Sequence, residues 1–229
     1  MSFLLCIETA TEICSVAVCE DGQLRAECQA EKPLSHASRL TSLIDTCCRQ
    51  AGRSLKEMDG LAVSIGPGSF TSLRIGLSTA KGIAYTLDKP LLPLSSLAIL
   101  AAGARSTITK TSGVLLVPMI DARRMEVYCA AYSPELELVA EPQPLVLEAD
   151  SMNQWTQNYN TLVLCGNGSP KAKSLYQGDT FQYGPDKSLA RYMGTLAHRA
   201  WTRKEFADTA YVEPFYLKAP HITTPKKVL

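Results

Sequence analysis

Residues 61–84 read Leu61-Ala62-Val63-Ser64-Ile65-Gly66-Pro67-Gly68-Ser69-Phe70-Thr71-Ser72-Leu73-Arg74-Ile75-Gly76-Leu77-Ser78-Thr79-Ala80-Lys81-Gly82-Ile83-Ala84. The apolar run Leu61 to Ile65 is short and partly β-branched, which marks a buried strand. It stops at Gly66-Pro67-Gly68, and a helical pattern follows. Gly66 and Gly68 admit backbone angles that other residues avoid, and Pro67 fixes one φ between them. Ser69 or Thr71 can cap the helix by accepting from its free N–H groups. Such a turn can cradle an anion, or it can pack a helix tightly on a sheet. We expect Gly66, Pro67, Gly68 and Ser69 to form a structural turn.

Within the helix, Leu73, Leu77, Ala80, Ala84 and Leu87 recur at helical spacing and should face the sheet. A second stripe, Ser72, Gly76, Thr79 and Ile83, is small and uncharged. A solvated face would carry Lys and Glu. A small-residue stripe lets another helix approach closely, from this chain or from a partner.

Upstream, Phe3 to Glu8 is an apolar strand ending in an acid. Ile13 to Cys19 alternates, with Cys14, Val16 and Val18 on one side and Ser15, Ala17 and Cys19 on the other. Asp21-Gly22 signals a hairpin, and Leu24 to Ala30 reads as an edge strand because it carries Arg25 and Glu27. A helix follows over 38–51, with Ser35 as cap, Leu40, Leu43, Ile44, Cys47, Cys48 and Ala51 as its apolar stripe, and Gly52 as its stop. After the helix at 70–87, Pro90 and Pro93 break the pattern, and Ser95 or Ser96 caps a further helix. The first lobe, residues 1–108, is therefore expected as β-β-β-α-β-α-α.

Residues 109–229 are expected to form a reduced second lobe with a C-terminal helix and tail. Val114 to Ile120 and Met125 to Tyr132 read as paired strands around Asp121-Ala122-Arg123-Arg124. Residues 134–150 hold three prolines between short apolar runs. Thr161 to Cys165 is a strand ending at Gly166-Asn167-Gly168, and 187–204 is helical. Both halves thus contain a strand followed by Gly-x-Gly, which points to two related lobes.

A chain of 229 residues with 20% charged side chains can bury a substantial core. Its net charge of +1 leaves no broad electrostatic footprint for nucleic acid or an anionic membrane. It has no apolar run of the roughly 20 residues needed to span a bilayer, and no signal-peptide pattern, so a cytoplasmic location is expected. The eight cysteines include no C-x-x-C pair and no metal-ligand spacing; we read them as small buried hydrophobes.

Chemistry is harder to find. Glu8, with Thr9 and Thr11, can hold a magnesium-bound phosphate, or can be a hydrogen-bonded strand end. A phosphate-gripping first turn would be glycine-rich, and this one has no glycine. We therefore read Glu8, Thr9 and Thr11 as a vestigial phosphate site. His36, His198 and His221 have no ligand-spaced partner, since Leu40 follows His36 by four. There is no G-x-S-x-G nucleophile elbow.

Five stretches carry a resemblance: Ile7-Glu8-Thr9-Ala10-Thr11, Ser15-Val16-Ala17-Val18, Gly66-Pro67-Gly68-Ser69-Phe70-Thr71 with Leu73-Arg74-Ile75-Gly76, Ile120-Asp121-Ala122-Arg123-Arg124 with Glu126-Val127-Tyr128, and Glu213-Pro214 with Tyr216-Leu217. Together they resemble the TsaB (YeaZ) family. The resemblance implies an α/β, actin-like/sugar-kinase/chaperone-ATPase (ribonuclease H-like) fold of two lobes, the second reduced. It implies a non-catalytic paralogue of TsaD, the subunit that transfers a threonylcarbamoyl group to N6 of adenosine 37 in tRNAs reading codons that start with A. The family's catalytic subunit carries a His-x-x-x-His metal pair, and here the matching positions are His36 and Leu40. We therefore expect no catalytic or metal residue in this chain, with ATP and metal on partner subunits. The implied partners are TsaD, the ATPase TsaE and, through the complex, tRNA. The alternative is a stand-alone metal-dependent glycopeptidase of the M22 type or an actin-fold kinase or ATPase.

The expected partner surface comprises Leu40, Leu43, Ile44 and Cys47 of the first helix and Ser72, Gly76, Thr79 and Ile83 of the second. Two such helices can pair with two from a paralogue, or close on themselves as a homodimer. In that reading Gly76 points away from its own sheet.

Overall fold

A computed structural model describes residues 1–30 and 36–218. Ser35 and the tail beyond Lys218 lie outside the described residues. In the first lobe, β1 (Phe3–Glu8) pairs antiparallel with β2 (Ser15–Glu20), which pairs antiparallel with β3 (Gln23–Gln29). β4 (Gly60–Gly66) lies parallel to β1, and β5 (Leu91–Ser95) lies parallel to β4. The order is β3-β2-β1-β4-β5. The four strands read from the sequence thus share one sheet, with β3 at its edge. The fifth strand had read as a break.

Each sheet face is covered by different helices, and the alternation of β2 shows how. Cys14, Val16 and Val18 join the core under α1 (His36–Gln50) and α2 (Phe70–Leu87). Ala17 and Cys19 join the core on the other face, with Ile99 of α3 (Ser96–Arg105). The helix α3 is apolar nearly all round, as a helix buried on several sides must be. Its Leu97, Leu100, Ala101 and Ala104 pack on the second sheet.

The second sheet contains β6 (Val114–Asp121), β7 (Glu126–Tyr132), β8 (Leu138–Val146), β9 (Thr161–Cys165) and β10 (Phe181–Tyr183), in the order β10-β9-β6-β7-β8. Its central strand β6 pairs antiparallel with β7 and parallel with β9, and β7 pairs antiparallel with β8. This repeats the first lobe strand for strand. The helices do not repeat: the short α4 (Asn153–Thr156) and a 3-10 turn at Ser169–Ala172 stand where the first lobe has α1 and α2. The duplicated sheet with a stripped second half is the two-lobed actin-like fold.

One segment departs from the expected division. The 187–204 region forms a 3-10 turn (Ala190–Met193) and then α5 (Gly194–Thr202). Ala190, Met193, Leu196, Ala197 and Ala200 pack on Leu4, Cys6, Ala17 and Cys19 of the first sheet, not on the second sheet. The spacing of the apolar residues showed that this segment buries a face but not which sheet receives it. All eight cysteines are free thiols, seven of them buried.

Candidate inter-lobe site

The Gly66-Pro67-Gly68 turn sits where the two lobes meet the C-terminal segment. Gly66 has φ of 125°, and a Cβ there would strike the Phe215 carbonyl. A Cβ on Gly68 would strike the Ala10 carbonyl. Ser69 caps α2, accepting from the Ser72 amide at 3.4 Å, and its own N–H donates to the Ala10 carbonyl at 2.8 Å. The turn after β4 is thus packed against the turn after β1. The second lobe is built alike: a Cβ on Gly166 would strike the Met119 carbonyl, and the Gly168 N–H donates to that carbonyl at 3.0 Å.

Glu8 is fully buried beneath this junction. Its Oε1 accepts from the Ala10 amide at 2.6 Å. Burial pushes its carboxyl up from 4.5 to about 7, against the opposing pull of that amide. Glu8 Oε2, Thr9 Oγ1 and Thr11 Oγ1 are all buried without a hydrogen-bond partner among the described residues. Thr9 lies under α2, against Gly76. His36 is buried at the start of α1, on the backbone of Thr11 and Ile13, and burial lowers its pKa. Leu40 points into the core of the first lobe and is 1% exposed. Among the described residues no three His, Cys, Asp or Glu side chains converge as metal ligands.

The partner-surface expectation needs correction. Leu40, Ile44 and Cys47 are buried in the chain's own core, so α1 uses its broad apolar arc on its own sheet. Ser72 and Gly76 are buried too. A Cβ on Gly76 would collide with Thr9 Oγ1, so Gly76 faces β1 rather than away from the sheet. At Gly76 the stripe is small because Thr9, just after β1, packs against it. Leu43, Thr79 and Ile83 remain only partly covered. Ile83 faces Ile44, Cys48 and Leu55 across a groove of about 580 Å³ along α1 and α2.

A larger cleft of about 1390 Å³ opens between the lobes. Its walls come from the β1–β2 turn, the start of α2, the β6–β7 hairpin and residues 215–218. Those last residues form a strap. The Phe215 N–H donates to the Ile65 carbonyl at 2.7 Å, extending the hydrogen bonding of β4. Tyr216 packs on Phe70 with ring centroids 4.9 Å apart, and its hydroxyl accepts from Arg74 Nε at 3.3 Å. Lys218 then crosses to Glu126 of the second lobe. The Glu213-Pro214 motif marked this segment in the sequence, but nothing local showed that it bridges the lobes.

The β6–β7 hairpin turns through Arg123 and Arg124. Both have left-handed backbones, with φ of 73° and 49°. Sequence reasoning gave these arginines no role, because a two-residue cationic turn has no periodicity to betray it.

With this geometry in view, the likeness to known proteins becomes specific. Residues 31–182 match the family described as TsaD, tRNA N6-adenosine threonylcarbamoyltransferase. The tRNA threonylcarbamoyladenosine biosynthesis protein TsaB of Haemophilus influenzae is 30% identical over 229 residues, covering 94% of this chain and 93% of that one. The chain belongs to the TsaB family. Its likeness to Escherichia coli TsaB is 38% identity over 129 residues, 56% of this chain and 54% of that one. The YeaZ structure from Pseudomonas aeruginosa superposes with a TM-score of 0.76 at 29% identity, covering 95% of this chain and all of that one. The family's members act in tRNA threonylcarbamoyladenosine biosynthesis, and the match to TsaD makes the two families relatives. No helix among the described residues is long and apolar enough to cross a membrane.

Proposed function

We propose that the chain is the supporting, non-catalytic subunit of the assembly that installs N6-threonylcarbamoyladenosine at position 37 of tRNAs, and that it binds TsaD. The observation that carries this reading is the fate of position 40. A metal pair on α1 would need a ligand four residues after His36, and that residue is Leu40, sealed in the core. A ligand there would face the sheet instead of the cleft. The phosphate-side turn also favours a supporting role, since Thr9 is covered by α2 at Gly76. In this reading ATP and metal sit on TsaD and TsaE.

The face offered to TsaD is the α1–α2 pair, now restricted to its partly exposed residues Leu43, Thr79 and Ile83 and the groove beside them. Helix pairs from two related chains can pack as a four-helix bundle. The same face can close as a homodimer when TsaD is absent. Reconstitution tests the reading: TsaD, TsaE and this chain together should modify a tRNA substrate, and omission of this chain should abolish the product. Modification at the full rate without this chain would overturn it, as would metal-dependent turnover by this chain alone.

A further inference from the structure

The two arginines of the β6–β7 turn are unusual in three respects. They are adjacent, and both take left-handed backbone angles that hairpin turns normally assign to Gly or Asn. Strained backbone of this kind clusters at functional sites. They are exposed at the mouth of the inter-lobe cleft. Among the described residues, neither side chain makes an ion pair or hydrogen bond, although acids stand close by. Those acids are engaged elsewhere: Asp121 pairs with Lys171 at 2.6 Å, Glu126 pairs with Lys218, and Glu12 accepts from Asn167 Nδ2 at 3.0 Å. The cleft wall therefore presents two free guanidinium groups beside two ion-paired carboxylates, Asp121 and Glu126, with Glu12 held by the uncharged Asn167 amide.

Four aromatic rings also line the cleft. Tyr128 is half-buried next to the arginine turn, and Phe70, Phe215 and Tyr216 form the opposite wall. Free guanidinium groups with ring platforms suit a ligand of alternating phosphates and flat bases. The cleft volume of about 1390 Å³ exceeds the roughly 300–1,000 Å³ of a small-molecule site. A single nucleotide would leave much of it empty, and a paired duplex would hide its bases from the rings.

We infer that this cleft binds a single-stranded RNA segment, with Arg123 and Arg124 on its phosphates and Tyr128 stacking a base. The inference rests on the reading of the chain as part of a tRNA-modifying assembly, and supplies the surface by which this subunit touches the RNA. Because the net charge is only +1, the contact is local, and its salt dependence is that of a few phosphates.

Fluorescence anisotropy tests it, on the full chain alone and in complex with TsaD. The probes are a labelled RNA stem-loop with an unpaired anticodon-type loop, a paired RNA duplex of equal length, and a labelled ATP analogue. The stem-loop should bind more tightly than the duplex. The double variant Arg123→Gln with Arg124→Gln should weaken stem-loop binding roughly tenfold and shrink the log–log salt slope by about 1.4, the value for two single-strand phosphates. Tyr128→Leu should weaken binding and leave the slope unchanged. Circular dichroism and co-elution with TsaD should show both variants folded and assembled. Wild-type stem-loop affinity and slope in the double arginine variant would overturn the inference, as would equal binding of duplex and loop. Loss of the ATP analogue alone would assign the arginines to a nucleotide instead. Failure to co-elute with TsaD would count against the assembly reading, whereas the RNA comparison on the chain alone judges the cleft separately.

Discussion

Thr9 Oγ1 fills the space where Gly76 would otherwise carry a side chain. This contact joins the end of β1 to the second turn of α2 and sets the depth at which the helix lies on the sheet. Gly76→Ala should therefore destabilise the fold, by about 1–3 kcal/mol, the usual cost of overpacking a filled site. Gly76→Arg should prevent folding. Thermal melts check both. A wild-type melting temperature for Gly76→Ala would mean that β1 and α2 separate freely.

Glu8 makes stability depend on pH in a stated direction. Its carboxyl is raised to about 7 in the fold from an ordinary value of 4.5. Between those values the unfolded chain releases a proton that the folded chain keeps. Stability should therefore fall as pH rises through that window, by roughly 3 kcal/mol in all, and level off above it. Glu8→Gln should remove the slope. Urea midpoints at pH 5 and pH 8, compared between the two proteins, give the answer. A parallel slope in Glu8→Gln would place the titrating group elsewhere.

The strap should close the cleft through Tyr216. Tyr216→Ala removes the ring contact with Phe70 and the Arg74 hydrogen bond. The expected loss is about 1–2 kcal/mol, with faster proteolysis after residue 210. Limited digestion followed by mass spectrometry reads this directly. An unchanged cleavage rate would show that the Phe215–Ile65 bond holds the strap unaided.

Ile83 is the test of the redrawn partner face. It is partly exposed on α2 and lines the groove beside Ile44. Ile83→Arg should stay folded, because its long stem can reach solvent from the groove edge. It should weaken assembly with TsaD by about 2–4 kcal/mol if the groove is a central contact. Size-exclusion chromatography at micromolar concentration separates the outcomes. Co-elution at wild-type affinity would move the interface off this face.

The first sheet was legible because β2 alternates strictly and Asp21-Gly22 and Gly66-Pro67-Gly68 punctuate it. β5 and β8 were not, because prolines interrupt both. Pro93 and Pro142 sit in edge strands, where a missing N–H breaks fewer ladder bonds. The Ser72–Gly76 stripe was seen but given the wrong neighbour. Helical spacing reports that a face is small, and only the path of the chain reports that Thr9, more than sixty residues earlier, lies against it. The cleft arginines were marked only as part of the Ile120 to Arg124 stretch of the family resemblance, with no periodicity to give them a role. Their backbone angles and their unpaired charges exist only once β6 and β7 are joined.

The return of α5 to the first sheet also orders events during synthesis. One face of that sheet can be covered by α1 and α2 as soon as residue 87 has been made. The other face, with Leu4, Cys6, Ala17 and Cys19, is covered only in part by α3, through Ile99, and waits for Ala190 to Ala200 to be closed. A ribosome must therefore translate the whole second lobe before the first is finished. Chains stalled near residue 180 should display the part of that apolar face which α3 leaves open, the kind of surface that chaperones hold.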